Sequence, residues 1–472
     1  MKPRPALFAG AACVELLLVS LASGYGDFVR KGEALIFVPL MLLAGVAFFC
    51  AVRFFESVRD GLQSRTLWGI AIGLRILMLP CSPGDDLWRY AWEGRVQNAG
   101  ANPYTLAPAA SELAHLRDAH WPKINHREVA AIYPPAAELL FAAVTRISPS
   151  QYLFKLLFAA ADLLTLALLL RLVNPIRAAW YAWNPAVVYA FTGAAHYDSL
   201  MLLALTAAVV GLNATRSQAP LGNALAGEAL LRAEGASVGA GPVDAPACGT
   251  PPPCEAELCS KAHSQAELGN EESLRWQLAS VLCLSAAISL KLIPAILLPV
   301  WAFTLGKRAW LLAFCAVPAA LAIPFGGLAT TLQPLRDFAD VSRFNELLVW
   351  IFPNPWQRNW PVNVLLCVTI AVIVVRFRHD WPRAALWTLG AALVLSPVLH
   401  PWYATWMLPL AIWRRAPAWT VLSISTLAAF LLWETTSLWT EWQPNLLTRA
   451  IVILPPLLAW RFQSKFHEPA HV

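Results

Sequence analysis

Long apolar runs recur from one end of this chain to the other, and they leave few folds open to it. The 472 residues are 58% hydrophobic and only 14% charged, with a mean hydropathy of +0.54. A water-soluble domain cannot hide that much apolar surface, so the expected class is all-α: a polytopic transmembrane helical bundle. A transmembrane barrel needs alternating segments of about ten residues, and the sequence has none. The net charge of +6 is not gathered into a basic helix or patch, so nucleic acid is not an expected partner. The lipid bilayer is.

The apolar runs predict about 13–14 spans. The first follows Lys2 and Arg4 and ends near Ser23; without a small-residue cleavage site it reads as an uncleaved span. Spans at 33–52 and 66–80 come next. The loop between them carries Arg53, Arg59 and Arg65, which places it in the cytoplasm and residues 81–133 outside, as a long loop. The apolar run 134–146 would be nearer 20 Å long than the ~30 Å of hydrocarbon, and reads as re-entrant or strongly tilted. Spans at 152–172, 178–194 and 198–212 complete the first half. Residues 213–274, rich in Ala, Gly, Pro, Glu and Ser, read as a disordered cytoplasmic insertion. Spans then resume at 276–290, 292–305, 309–324, 361–376, 384–399, 402–413, 417–433 and 446–461. Their inner turns carry Lys307-Arg308, Arg376 with Arg378 and Arg383, and Arg414-Arg415. The chain thus divides into helices at 1–80, a long extracytoplasmic loop at 81–133, helices at 134–212, the insertion at 213–274, and helices at 275–472.

Polar chemistry concentrates in Gly84-Asp85-Asp86-Leu87-Trp88-Arg89-Tyr90-Ala91-Trp92-Glu93-Gly94-Arg95. Two adjacent carboxylates repel, so one holds a raised pKa or both share a cation or a basic partner. An aspartate at a membrane surface can take the proton of a sugar hydroxyl as that hydroxyl attacks an anomeric carbon. Arg89 and Arg95 have the guanidinium fork that matches phosphate oxygens. Trp88, Tyr90 and Trp92 suit either a sugar face or the interfacial aromatic belt. The bland alternative is a solvated loop whose Asp and Arg pair with each other.

The nine cysteines form no zinc pattern. Cys13, Cys50, Cys283, Cys315 and Cys367 fall inside apolar runs and read as small core residues. A Walker A motif and a Rossmann glycine fingerprint are both missing, which argues against a nucleotide donor.

The stretch from Asp85 to Arg95, with Gly100-x-Asn102-Pro103-Tyr104 and Tyr133-Pro134-Pro135, resembles the first extracytoplasmic loop of GT-C glycosyltransferases. The bacterial polyprenyl-phosphate-mannose-dependent mannosyltransferases are the nearest resemblance. Trp183-Asn184-Pro185, Gly193-Ala194-Ala195-His196-Tyr197-Asp198, Lys291-Leu292-Ile293-Pro294, Arg343-Phe344-Asn345 and Ser396-Pro397-Val398-Leu399-His400-Pro401-Trp402-Tyr403 are similar to other pieces of that family. Tyr197 stands where the family often has Asn, and the insertion departs from its compact pattern. The resemblance implies a multi-pass enzyme, in the bacterial cytoplasmic membrane, that moves a hexose, mannose by preference. The donor would be a polyprenyl-phosphate sugar, the acceptor an extracytoplasmic glycolipid or glycan, and the anomeric centre would invert. It implies Asp86 as catalytic base, with Asp85 as second choice.

By the topology above, His196, Asp198, Lys291, Arg343 and His400 share the outer face with Asp86. Arg89, Tyr90, Arg95, His196, Asp198, Lys291, Arg343, Asn345, His400 and Tyr403 are therefore the expected substrate-binding set. His196 and Asp198 read either as a hydrogen-bonded structural pair or as a substrate contact. His400 orients a sugar, acts as a second base, assists the leaving phosphate or is a structural histidine. Lys291 lies between apolar runs, where a charge near a span's centre costs roughly 2.5–3.5 kcal/mol. It either snorkels or meets a lipid phosphate. Arg75 either reaches the outer mouth or pairs with Glu15 in the first span. No cofactor is required, although the Asp pair would accept a divalent metal. Two rivals fit the composition: a lipid or sugar transporter or flippase, and an O-antigen-ligase-like enzyme using a diphosphate lipid.

Overall fold

The computed structural model describes residues 4–217, 253–348, 359–435 and 446–463. Among them there are helices and loops but no strand, and one isolated bridge pairs Phe344 with Val398. Among the described residues, seven helices are long and apolar enough to cross a membrane, which makes the chain an integral membrane protein with an all-α helical bundle. Other expected spans form shorter or broken helices. The run Ile293–Phe325, itself one of the seven, is in pieces, because Pro294, Pro299, Pro318 and Pro324 interrupt it and Gly306 takes φ +54°.

The first half builds the frame of the site. Helices α1 (Arg4–Ala22), α2 (Glu33–Phe54) and α3 (Asp60–Met78) pack around Phe37, Phe48 and Phe55, which are fully buried. Helix α4 (Asp85–Asn98) follows, and Asp85 and Asp86 occupy its first turn, where carboxylates complement the helix dipole. It lies against α5 (Pro135–Ile147). Gly94 permits that closeness: a Cβ there would stand 2.3 Å from the Phe141 carbonyl oxygen. With 13 residues, α5 is not among the helices long enough to cross.

Helix α6 (Gln151–Leu169) presents Asp162 to Arg75, whose Nε and Nη2 both lie 2.8 Å from the carboxylate. Arg75 therefore takes neither expected role. Glu15 is fully buried in α1, and both its oxygens lack a hydrogen-bond partner among the described residues.

Three further expectations change. Residues 253–274, read as part of a disordered insertion, are helical and open the 38-residue helix Pro253–Leu290. That helix is about 57 Å long at 1.5 Å per residue, so it outreaches the hydrocarbon layer, and only Glu271–Leu290 qualifies as a span. The rest of the insertion, 218–252, lies outside the described residues. Cys13, Cys50 and Cys367 are exposed on the bundle's outside, because one side of each helix faces away from the core. The amphipathic helix Gly327–Val341 occupies a stretch that hydropathy alone left empty, since it is too polar to read as a span.

Candidate active site

The start of α4 is tied to the turn after the helix Pro185–Val188. That chain continues through a single π turn, Tyr189–Gly193, a distortion often found at functional sites. Ala195 then adopts a left-handed φ of +61°. The Gly84 N–H donates to the Ala194 carbonyl at 2.9 Å, which sets His196 against the carboxylate pair. His196 Nδ1, buried and with no closer partner, stands 3.4 Å from Asp86 Oδ2. It does not bond to Asp198, so the expected His196–Asp198 pair is not formed.

His196 also begins a stack of four rings. It lies on Trp402 at 3.6 Å, Trp402 on His400 at 4.4 Å, and His400 on Phe344 at 4.8 Å. The Phe344–Val398 bridge holds the far end, with Phe344 N donating to Pro397 O and Leu399 N to Phe344 O. Asn345, at φ +50°, supports it by donating to the Leu399 carbonyl at 3.2 Å. That is a framework contact behind the site, and Asn345 does not line the cavity.

Lys291 has its own partner. Its Nζ lies 2.7 Å from Asp198 Oδ1, which also accepts from Trp406 Nε1 at 2.7 Å. Tyr197, Tyr403 and Trp406 surround the ammonium at 4.7 to 5.3 Å from their ring centres. Asp198 and this aromatic cage offset the cost of the charge.

Arg89 differs from expectation too. It is 3% exposed and bonds Glu93 Oε1 at 2.6 Å. Its remaining N–H groups donate to the carbonyls of Asn125, His126, Val129 and Ala130. The side chain thus organises the outer loop, with no donor left over for a phosphate. Arg95 is turned away from the cavity, bonded to the Leu116 carbonyl and to Asp118 at 2.7 Å. Arg343 is the contrasting case: it lines the cavity and its buried Nε has no partner among the described residues.

All these elements enclose one cavity of about 580 Å³. Asp85, Asp86, Arg89, Tyr90, His196, Lys291, Arg343, His400 and Tyr403 line it, whereas Arg95, Asp198 and Asn345 do not. Sequence reasoning missed Asn125, which lines it and donates to both carboxylates. A lone Asn in a polar loop carries no periodic or motif signal. Trp402 and Phe344 were visible only as parts of motifs. Trp88, which suited either a sugar face or the interfacial belt, lines the cavity and stacks on His120 at 4.5 Å under the Lys123 ammonium.

Burial, and then the neighbouring Asp86 charge, push the Asp85 carboxyl up to about 6. Burial acts on Asp86 in the same sense. The hydrogen bond and charge of His196, with smaller help from His400 and Asn125, outweigh it and hold Asp86 below the usual carboxylate range. His400 is pushed down to about 3, mainly by burial, so its ring is neutral at physiological pH. The pair therefore comprises one carboxyl that keeps its proton only below about pH 6 and one that stays ionised beside a histidine. Among the described residues, no group of three or more His, Cys, Asp or Glu is placed to hold a metal ion.

An aspartate pair, a stack of rings and a guanidinium whose Nε has no partner among the described residues surround one cavity in a helical membrane protein. Residues 7–307 match the family described as Alpha-(1->6)-mannopyranosyltransferase, N-terminal domain. The match spans more than half of the chain, and the chain belongs to this family, which makes it a mannosyltransferase. It takes in Asp85, Asp86, His196 and Lys291, and ends before Arg343 and His400. No match to the chain was found among curated proteins or among solved structures.

Proposed function

We propose that the chain is a GT-C-type enzyme that moves mannose from a polyprenyl-phosphate donor to a hydroxyl of a glycolipid or glycan on the extracytoplasmic face. Asp86 takes the hydroxyl proton as the oxygen attacks the anomeric carbon. The bond from that carbon to the phosphate oxygen breaks, its electron pair leaves on the lipid phosphate, and Arg343 receives the new charge. In-line displacement inverts the centre, so a β-linked donor gives the α linkage that the family's description carries. The acceptor position would be a primary 6-hydroxyl.

One observation carries this reading: the ionised Asp86 and Arg343, whose Nε has no partner among the described residues, line the same cavity. A base without an anion site would suit a different chemistry, and an anion site without a base would suit a transporter. Phe28, Val29, Phe430 and Trp433 line the cavity as well and offer an isoprenoid chain an apolar surface. The cationic inner turns support an outward-facing site in the bacterial cytoplasmic membrane. No step requires a metal, so a chelator is expected to leave the rate unchanged.

The test is transfer by purified enzyme from a polyprenyl-phosphate-mannose donor, with Asp86→Asn in parallel. Undiminished transfer by the variant would remove Asp86 from the role of base. Transfer from a diphosphate lipid alone would replace the donor, and movement of intact lipid without transfer would favour a flippase.

A further inference from the structure

Asn125 is 7% exposed, and its amide nitrogen donates to Asp85 Oδ2 at 3.0 Å and to Asp86 Oδ1 at 2.8 Å. An amide NH2 has two hydrogens, and both are committed to this pair. The opposite amide orientation would set a carbonyl oxygen against two carboxylate oxygens, so the network itself assigns the nitrogen. The two oxygens that Asn125 meets must therefore be acceptors. Any proton on the pair has to sit on Asp85 Oδ1 or Asp86 Oδ2.

The loop that carries Asn125 is held for this purpose by a second device. Arg89 lies one helical turn beyond the carboxylates on the same helix, so its guanidinium reaches the same loop. It accepts no slack: Nη1 donates to Asn125 O at 3.2 Å and His126 O at 2.8 Å, and Nη2 to Ala130 O at 2.9 Å and to Val129 O. His126, directly after Asn125, has φ +42°, a conformation that a side chain other than glycine adopts only when its surroundings impose it. Glu93 in turn fixes Arg89 through its Nε. Helix, guanidinium and strained turn thus deliver one amide to one place.

We propose that Asn125 is a positioning residue for mannosyl transfer, which locks the rotamer of Asp86 and leaves Oδ2, beside His196, as the oxygen that takes the acceptor's proton. This rests on the reading of Asp86 as base. Asn125 favours the ionised form of both carboxylates, because it can donate to them and cannot accept from them. Without it, the pair keeps its proton to higher pH and Asp86 turns between rotamers.

The experiment compares Asn125→Ala, Asn125→Asp and Asp86→Asn in the purified full chain. Loss of a hydrogen bond to a charged group is expected to lower kcat about tenfold to a hundredfold in Asn125→Ala, with the KM for donor nearly unchanged. Asn125→Asp keeps the shape but replaces the donor by an acceptor, and is expected to fall below Asn125→Ala. Infrared titration supplies a readout independent of turnover. The protonated-carboxyl band, assigned by its loss in Asp85→Asn, should persist to higher pH in Asn125→Ala than in the parent. An Asn125→Asp enzyme as active as Asn125→Ala, or a band that titrates at an unchanged pH, would overturn the proposal. Activity retained in Asp86→Asn would instead overturn the base itself, whatever the infrared band does.

Discussion

His196 Nδ1 faces Asp86 Oδ2 at 3.4 Å, and the His196 ring is pinned flat against Trp402 at 3.6 Å. Each of the three residues comes from a different part of the chain, and the stack prevents the imidazole from turning away. Because His196 helps to hold Asp86 ionised, its loss should raise the carboxyl's pKa. His196→Ala is expected to lower kcat about tenfold to a hundredfold and to move the acid limb of the pH–rate profile to higher pH. A uniform fall at every pH would mean that the histidine only fills space.

Asp85 offers a stability test with a definite sign. Its folded-state pKa is raised from the ordinary 3.8 to about 6, so folding favours the protonated form. The contribution of this group is then fully present below the ordinary carboxylate value and is lost as pH rises through about 6. Asp85→Asn, a mimic of the protonated acid, should match the parent's Tm in acid and exceed it by a few degrees above that window. Thermal unfolding in detergent on both sides of the window checks it. A lower Tm for the variant at alkaline pH would contradict the assignment of the proton to Asp85.

The two arginines at the cavity should separate cleanly. Arg343 has an Nε without a partner among the described residues, so Arg343→Ala is expected to raise the donor's KM about tenfold to a hundredfold with little change in Tm. Arg89 is buried on Glu93 and four loop carbonyls. Removing it leaves a buried carboxylate uncompensated, and Arg89→Ala should cost on the order of 3–5 kcal/mol of stability. Denaturation and steady-state kinetics on the same two variants decide the matter.

Burial holds His400 neutral through the physiological range, since its pKa lies near 3. Whatever it contributes, it contributes as an uncharged ring. His400→Phe keeps the stack between Phe344 and Trp402 and should fold normally while kcat falls severalfold. The ratio of variant to parent rates should stay constant between about pH 5 and 8. A ratio that titrates in that interval would show that the histidine is charged in the working enzyme.

Much of the site was legible in the sequence because its parts are local. Asp85 and Asp86 directly after an apolar run, and the short motifs around His196, Lys291, Arg343 and His400, needed no structure to be singled out. Their partners were not legible. His196 sits two residues from Asp198 yet turns to Asp86, while Asp198 turns to Lys291. Arg89 sits beside the carboxylates yet serves a loop some forty positions along, and Arg95 faces away from the cavity.

By itself the sequence determined that the chain enters a bilayer as helices, because its long continuous apolar runs suit helices and it lacks the alternating segments of a barrel, the other arrangement that satisfies its backbone in lipid. It determined as well which charges such a bundle must accommodate. Only the tertiary structure decided what each charge does. A carboxylate or guanidinium buried at the end of a helix takes its role from the donors and acceptors within about 3 Å, and those arrive from distant segments through packing. Asn125 carries that point furthest: unremarked in its loop, it holds both carboxylates once Arg89 has set the loop in place.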